Sequence, residues 1–153
     1  MAIEFKNGDM FTSDATYLCH QVNCMGRMGS GIAKTVREKF PTAYHDYMSL
    51  CLLSGKTPKE LLGGVQASWT GNKCIVNMFG QEAYGYDGKQ YTDYKAFEKC
   101  LRHIRNNVPV GSKIAFPHGI GCGLGGGDWN TIISMIESEL SNDYTVEIWK
   151  LER

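Results

Sequence analysis

The sequence has no excess charge of either sign and no long apolar run. Its 153 residues include 16 Lys and Arg against 16 Asp and Glu, so the chain lacks the broad positive field that binds nucleic acids or anionic membranes without specificity. It also lacks the roughly 18 apolar residues of a transmembrane helix, and its start lacks the apolar core of a signal peptide. We expect a soluble, cytoplasmic, single-domain protein spanning residues 1–153, with no membrane partner and no broad nucleic-acid surface.

Cysteine pairs with metal-ligand spacing are absent as well. The six cysteines include no Cys-x-x-Cys pair. The nearest cluster, Cys19, His20 and Cys24, has neither zinc-ligand spacing nor a second ligand pair. Disulfide frameworks are typical of small secreted domains. We therefore expect free thiols in a reducing compartment, no metal site and no cofactor, and we expect a monomer because the pattern leaves no apolar helix face exposed.

Glycine, in contrast, is abundant. It accounts for 18 of the 153 residues, compared with about 7% in an average protein. Half of these glycines fall in two short windows, three in 26–31 and six in 119–127. This clustering is unlike a flexible low-complexity chain and indicates two loops whose backbone geometry requires glycine.

Apolar periodicity predicts alternating strands and helices. We expect strands at 3–5, 17–23, 64–70, 73–79, 113–116 and 144–151, and helices at 32–40, from 41 to a stop at Gly55, at 91–107 and at 129–140. Ser30 stands where it would cap the first helix, and Gly71-Asn72 predicts a hairpin turn. Because helices separate most strands, we predict an α/β fold, a three-layer α/β/α sandwich around a mixed, mostly parallel, six-stranded sheet.

Both glycine loops follow a predicted strand and lead into a predicted helix. In an open α/β sheet, ligands usually bind at the carboxyl ends of the strands. Glycine lets backbone N–H groups approach an anion, and a helix N-terminus adds positive potential. Two such loops are able to bracket a diphosphate without any net basic charge. The alternative interpretation is that the glycines only make tight turns.

One segment matches the dinucleotide-binding fingerprint in its letters. Gly121, Gly123 and Gly126 have the Gly-x-Gly-x-x-Gly spacing. That motif, however, opens the first βαβ unit of a Rossmann fold and precedes an acidic ribose ligand by about 20 residues. Here one predicted strand remains after it, so no second mononucleotide-binding half follows. We therefore exclude a Rossmann dehydrogenase and retain the phosphate-binding interpretation.

Three motifs together resemble the macrodomains, a family that binds ADP-ribose. They are Gly-Asp-Met-Phe at 8–11, Asn23 followed by Gly-Ser-Gly-Ile-Ala at 29–33, and Phe-Pro-x-Gly-Ile-Gly-Cys-Gly-Leu at 116–124. The resemblance covers nearly the whole chain. It is greatest to the branch with the terminal ADP-ribose protein glycohydrolase and the yeast-type ADP-ribose 1″-phosphate phosphatase. It implies a macrodomain fold with ADP-ribose or a derivative as the ligand.

The resemblance also assigns ligand contacts. Asp9 would accept a hydrogen bond from the adenine amino group, which excludes guanine because guanine has a carbonyl there; the alternative for Asp9 is a turn residue. Asn23 would face the distal ribose, and the two glycine loops would wrap the diphosphate and distal ribose. The full set is Asp9, Met10, Asn23, Gly29, Gly31, Ile32, Ala33, Ile120, Gly121, Cys122, Gly123 and Leu124.

The residues for catalysis match less completely. By resemblance, the glycohydrolase branch uses a lysine on the fourth strand and an aspartate after the Gly-Cys-Gly-Leu segment. The matching positions here are near 79–80 and at Gly125, and neither residue is present, so we do not expect a lysine-adduct mechanism. The phosphatase type uses a histidine on the second strand, where this chain has His20. An imidazole with a pKa of about 6.5 is suited to take a proton from water at neutral pH.

Each catalytic candidate also has a structural interpretation. Asp128 and Asp87 are candidates for orienting His20 or supplying a proton, but Asp128 also suits a helix N-cap and Asp87 a turn. His20 equally suits a hydrogen-bonded core histidine. Cys122, four residues after His118, has the setting of a nucleophile. Within a glycine loop, however, it is better suited to pack or to lend its backbone N–H.

Two functions of different classes remain open. The first is a hydrolase acting on a small ADP-ribose derivative, preferably removing the 1″-phosphate, with His20 assisting the attack of water. The second is a reader that binds free or protein-linked ADP-ribose without turnover. A variant of the first removes ADP-ribose from modified protein or nucleic acid, which makes ADP-ribosylated macromolecules candidate partners.

Overall fold

The computed structural model describes residues 3–151. Its strands are β1 Ile3–Asn7, β2 Tyr17–Asn23, β3 Val65–Thr70, β4 Lys73–Gln81, β5 Lys113–Pro117 and β6 Thr145–Lys150. They form one six-stranded sheet in the order β1-β6-β5-β2-β4-β3. Neighbouring strands are parallel except for the antiparallel pair β3 and β4. The mixed, mostly parallel sheet is therefore confirmed.

Helices cover both faces of this sheet. They are α1 Gly31–Lys39, α2 Pro41–Leu53, α3 Pro58–Leu61, α4 Tyr94–Asn107 and α5 Trp129–Leu140. One buried cluster joins α1 and α2 to the sheet, and a second joins α4 and α5 to its other face. The alternation of β2 explains this division, since Leu18 and Val22 belong to the first cluster and Cys19 to the second. Side chains two residues apart lie on the same face of a strand.

Helix boundaries differ from the predicted ones for local reasons. Helix α4 begins at Tyr94 rather than at 91, because the Asp93 carboxylate caps it by accepting the Ala96 N–H at 3.0 Å. The short α3 was not predicted, although Thr57 and Glu60 form a capping box that marks its start. A single 3₁₀ turn, Met10–Thr12, follows β1. The remaining helices and the hairpin lie where the sequence predicts them.

Parallel pairing brings the carboxyl ends of β1, β6, β5, β2 and β4 to one edge of the sheet. Both glycine loops leave from this edge, one after β2 and one after β5. The fold therefore places the loops side by side, since β2 and β5 are neighbours. Within residues 3–151, no helix combines the length and apolar character that a bilayer crossing requires. All six cysteines are free thiols.

Candidate ligand-binding groove

Three adjoining hollows run along the carboxyl edge of the sheet. The first, about 100 Å³, includes Asp9; the middle one, about 230 Å³, lies between the two glycine loops; and the last, about 380 Å³, includes Tyr86. Ile32 lines the first two and Ala33 the last two, so the hollows form one groove. We call its parts the Asp9 end, the middle part and the Tyr86 end. A separate hollow of about 560 Å³ between β3 and α4 contains none of the predicted site residues.

Asp9 serves as a turn residue and still offers an oxygen to the groove. Its Oδ1 accepts the Phe11 N–H at 2.9 Å, which caps the 3₁₀ turn. Its Oδ2 lies 3.6 Å from the Lys39 ammonium, and 40% of the side chain is exposed. Met10 beneath it is buried. Both predicted descriptions of Asp9 are therefore compatible, because the turn uses only one carboxylate oxygen.

The first glycine loop ends in a helix without a side-chain cap. Ser30 occupies the N-cap position of α1 but makes no capping bond. Its hydroxyl instead lies 3.0 Å from the Tyr86 hydroxyl across the groove. The first N–H groups of α1, from Gly31 to Ala33, therefore keep no capping partner among residues 3–151. Gly31 has φ +56, a conformation that L side chains rarely adopt.

The second glycine loop presents a different set of N–H groups. Those of Ile120 and Cys122 are used inside the loop, on Pro117 O at 3.1 Å and Gly119 O at 2.8 Å. Within residues 3–151, no protein hydrogen bond uses the N–H groups of Gly121, Gly123 and Leu124. These three residues also line the groove. The Cys122 N–H, in contrast, is engaged in a turn, which the sequence did not indicate.

The Cys122 thiol has no features of a nucleophile. It is partly buried and its Sγ lies 3.4 Å from Ile120 O. Burial raises its pKa to about 11, so the thiolate form is scarce at neutral pH. His118 does not contact it in a way that would lower this pKa, because the imidazole packs on the Trp129 ring at 4.6 Å. The structure therefore favours a packing role for this side chain.

Asn23 shapes the first loop from within. Its Oδ1 accepts the Met25 N–H at 2.9 Å, and its Nδ2 donates to Arg27 O at 2.9 Å. The Tyr47 hydroxyl donates to Asn23 O at 2.7 Å and accepts the Arg27 N–H at 3.0 Å. Asn23 still lines the Tyr86 end. Its amide is thus held in place, with one N–H hydrogen left for a ligand.

His20 lies under the floor of the middle part, where 2% of its surface is exposed. Its Nε2–H donates to Asn77 Oδ1 at 2.5 Å. The Asn77 amide is itself oriented by donating to Gln66 Oε1 at 3.1 Å. Burial lowers the pKa of His20 to about 4, so the ring is neutral at pH 7 with its lone pair on Nδ1. That atom is buried and has no hydrogen-bond partner among the described residues.

The two other catalytic candidates have structural partners. The Asp87 carboxylate accepts the Tyr91 hydroxyl at 2.9 Å, and this bond is the main reason that its pKa lies below the usual value. Asp87 is the next residue after Tyr86, which lines the groove. Asp128 caps α5 by accepting the Thr131 N–H at 3.0 Å. Among the described residues that line the groove, Asp9 is the one carboxylate.

Comparison with known proteins identifies the family. A family model described as the Macro domain matches residues 19–136, well over half of the chain. The chain belongs to the macro domain family. The family and the α/β fold expected from the three motifs are therefore confirmed.

Two curated relatives of this macro domain carry the names of different hydrolases. The ADP-ribose 1″-phosphate phosphatase of Meyerozyma guilliermondii is 30% identical over an alignment of 121 residues, and the match covers 69% of each chain. The DNA ADP-ribosyl glycohydrolase of Mycobacterium tuberculosis is 28% identical over 132 residues, 85% of this chain but 36% of that one. The macro domain thus spans little more than a third of the mycobacterial protein.

Solved structures show the same fold at lower identity. A protein of unknown function from Bacteroides thetaiotaomicron has a TM-score of 0.83 at 24% identity, with 98% of each chain covered. Thermosipho africanus DarTG in complex with ADP-ribose has a TM-score of 0.77 at 23% identity, covering 97% of this chain and 41% of that chain. At these identities the likeness concerns the fold.

In this macro domain, glycines stand where the glycohydrolase resemblance requires a lysine and an aspartate, and neutral side chains fill the space beside them. A Cβ on Gly80 would collide with the Oε1 of Gln21. A Cβ on Gly125 would lie 2.6 Å from the Thr92 hydroxyl and 2.7 Å from Gly121 O. The space beside both glycines is therefore occupied by a network of amides and hydroxyls rather than by a charged pair.

Sequence reasoning missed the two residues at the centre of this network. Gln21 lines both the middle part and the Tyr86 end, and Thr92 lies against the second glycine loop. A signal existed for Gln21, which is a polar residue near the carboxyl end of an otherwise buried strand. Thr92 gave no such signal, because it is an ordinary residue in a polar loop.

Proposed function

We propose that this macro domain binds ADP-ribose along the groove. Adenine would lie at the Asp9 end, the diphosphate in the middle part and the distal ribose at the Tyr86 end. The observation that carries the proposal is the pair of glycine loops, whose uncommitted N–H groups line the middle part from both sides. The relatives named as phosphatase and glycohydrolase, and the solved complex with ADP-ribose, support this ligand.

The N–H donors in the middle part of the groove suit a small dianion such as a diphosphate. The uncapped start of α1 combines free N–H donors with the positive end of the helix dipole, which favours phosphate. Such a site needs no cluster of basic side chains, in agreement with the zero net charge. At the start of α5, in contrast, Asp128 already accepts the Thr131 N–H and puts a carboxylate where an anion would have to bind. The second loop would therefore act through its own N–H groups.

Within this proposal, the reaction is hydrolysis of a group on the distal ribose, with the 1″-phosphate preferred. Water would attack the phosphorus, the bond to the ribose oxygen would break, and that oxygen would take a proton to leave ADP-ribose and inorganic phosphate. His20 is the proposed base through Nδ1, which must become accessible when ligand binds because it is buried without ligand. Asp87, beside Tyr86, is the second group proposed to take part, by orienting His20 or supplying a proton. The same catalytic role for Asp128 stays a prediction.

A reader without turnover is the alternative function, and one observation favours it. In the part of the chain that the structure describes, the Tyr86 end contains no carboxylate in its lining. A hydrolase that removes ADP-ribose from protein or nucleic acid is the other alternative. Its support is the name of the mycobacterial relative, and it would require a mechanism without the lysine and aspartate.

Calorimetry with ADP-ribose tests the ligand. We expect binding by the unchanged protein and at least tenfold weaker binding by Asp9→Ala, because a carboxylate that accepts from adenine contributes about 1.5–3 kcal/mol. The control Asp14→Ala removes an exposed carboxylate paired with Lys113 and should bind normally. Failure of the unchanged protein to bind at millimolar ADP-ribose, or normal binding by Asp9→Ala, would refute the assignment.

Phosphate release from ADP-ribose 1″-phosphate tests the reaction. We expect His20→Ala to lose turnover while ADP-ribose affinity stays within a few-fold. Binding without turnover of this phosphate, of ADP-ribosylated protein or of ADP-ribosylated DNA would establish the reader instead. Release from a modified macromolecule alone would establish the glycohydrolase alternative.

We also propose a monomer in the cytoplasm. The free thiols suit a reducing compartment. Light scattering of the purified chain tests the oligomeric state, and a dimer mass at micromolar concentration would contradict it.

A further inference from the structure

Thr92 ties the second glycine loop to the sheet through its side chain. It is 3% exposed and lies just before α4. Its hydroxyl donates to Gly121 O at 2.6 Å and accepts from Gln21 Nε2 at 2.9 Å. The same Gln21 nitrogen also donates to Gln81 Oε1 at 2.8 Å. A continuous chain of hydrogen bonds therefore runs from β4 through β2 to the loop.

The backbone of the same segment holds the loop at a second point. The N–H groups of Tyr91 and Thr92 both donate to Gly125 O, at 2.7 and 2.9 Å. Gly121 O in addition accepts the Gly127 N–H at 2.9 Å. The segment 91–92 thus holds two carbonyls of the loop, those of Gly121 and Gly125. Within residues 119–127, these contacts oppose the freedom that six glycines would otherwise give the chain.

The bond from Thr92 fixes one peptide plane of the loop. Gly121 has φ +75 and no side chain to restrict it. Its carbonyl is held by Thr92, and the N–H of the same peptide unit, on Cys122, is held by Gly119 O at 2.8 Å. Locking this plane sets the direction in which the neighbouring N–H groups of Gly121 and Gly123 project. Those are the groups that the loop leaves without protein partners.

We propose that Thr92, supported by Gln21, is a positioning residue for ligand binding. It orders the second glycine loop before the ligand arrives, so that the anion meets donors already aligned. Preorganisation of this kind increases affinity because the ordering is not deferred to the binding step. The inference rests on the proposed function and extends it to Thr92, a side chain that acts through the loop rather than on the ligand.

Three variants test the role of the hydroxyl. Thr92→Val keeps the shape and removes both hydrogen bonds, and we expect ADP-ribose to bind about tenfold more weakly, the effect of about 1.4 kcal/mol. Thr92→Ser restores the hydroxyl and should bind within about threefold of the unchanged protein. The matched control is Thr70→Val, because the Thr70 hydroxyl is buried without a partner among the described residues. It should leave affinity unchanged.

A double-mutant cycle tests the link between Thr92 and Gln21. Gln21→Met breaks the same chain of hydrogen bonds, so Thr92→Val should weaken binding much less in a Gln21→Met background than in the unchanged protein. Amide exchange of the ligand-free loop provides a readout without ADP-ribose, and Thr92→Val should accelerate it in residues 119–127. If Thr92→Val does not fold at 25 °C, amide exchange in Gln21→Met carries the test. Its ADP-ribose affinity would not, because Gln21 itself lines the groove.

The outcomes separate this inference from the proposed function. No ADP-ribose binding by the unchanged protein would refute the proposed function and the ligand-positioning role with it. Normal binding by the unchanged protein and by Thr92→Val would overturn this inference alone. Equal losses in Thr92→Ser and Thr92→Val would also overturn it, because the hydroxyl would then not be the active group.

Discussion

Acid should destabilise this macro domain through His20. The ring is buried, donates to Asn77, and has its pKa lowered by burial from 6.5 to about 4. Between these pH values the unfolded chain binds a proton that the folded protein does not. Stability is therefore present in full above pH 6.5 and is lost as the pH falls toward 4.

The size of this effect follows from the two pKa values. With 6.5 for the unfolded chain and about 4 for the folded protein, this one group lowers the free energy of unfolding by about 2 kcal/mol between pH 7 and pH 5. The lowered pKa of Asp87 acts in the same direction only at more acidic pH. The window from pH 7 to 5 therefore excludes Asp87. Burial also lowers the pKa of His118, which adds a change in the same direction, so the share of His20 is the difference between the unchanged protein and a variant without that ring.

Urea denaturation at pH 7, 6 and 5 measures the effect. His20→Gln keeps a polar side chain without a titrating ring, and we expect its stability to change about 2 kcal/mol less than that of the unchanged protein. His103→Gln, which removes an exposed imidazole on α4, is the control and should follow the unchanged protein. Equal pH slopes for His20→Gln and the unchanged protein would refute the reasoning. A further consequence concerns turnover: if the reaction needs the His20 lone pair, its rate should not fall between pH 8 and pH 6.

Three substitutions test other parts of the groove. Tyr47→Phe removes the hydroxyl that holds Asn23, and urea denaturation should show a loss of about 1–3 kcal/mol; unchanged stability would contradict this. Gly125→Ala places a methyl group 2.7 Å from Gly121 O, so it should lower stability by about 1–3 kcal/mol and weaken ADP-ribose binding in calorimetry. Unchanged stability and affinity would show that the loop moves freely and would contradict this prediction. Asp128→Ala removes the cap of α5 and should cost about 1 kcal/mol with turnover retained, whereas lost turnover at normal affinity would establish a catalytic role.

The sequence sufficed for the architecture because its signals are local and repeated. Alternation in β2 and the apolar stripe of α4 each recur over several residues, so single deviations do not hide them. The glycine windows likewise predicted built loops at the carboxyl edge of the sheet. Boundaries were less predictable, since the start of α4 depends on which of several polar residues caps it, and Asp93 does so.

The contacts inside the groove could not be predicted in the same way. Ser30 occupies the expected cap position, yet its hydroxyl pairs with Tyr86, 56 residues later in the chain. Thr92 meets Gly121 across 29 residues. Such bonds depend on which loops the fold brings together, and no local pattern encodes them. For the same reason the bond of His20 to Asn77, 57 residues later in the chain, could not be read from its place on the second strand.

The amide and hydroxyl network also explains why this chain would not gain glycohydrolase chemistry by a single change. An aspartate at Gly125 would place its Cβ within 2.7 Å of Gly121 O, and a lysine at Gly80 would require Gln21 to vacate its position. A lysine and a carboxylate in place of the network would also have to offset the cost of removing two charges from water. Gly80, Gly125, Gln21 and Thr92 therefore form one linked set. The hydrolysis proposed for this groove would then need other groups, and His20 is the proposed one beneath the floor of its middle part.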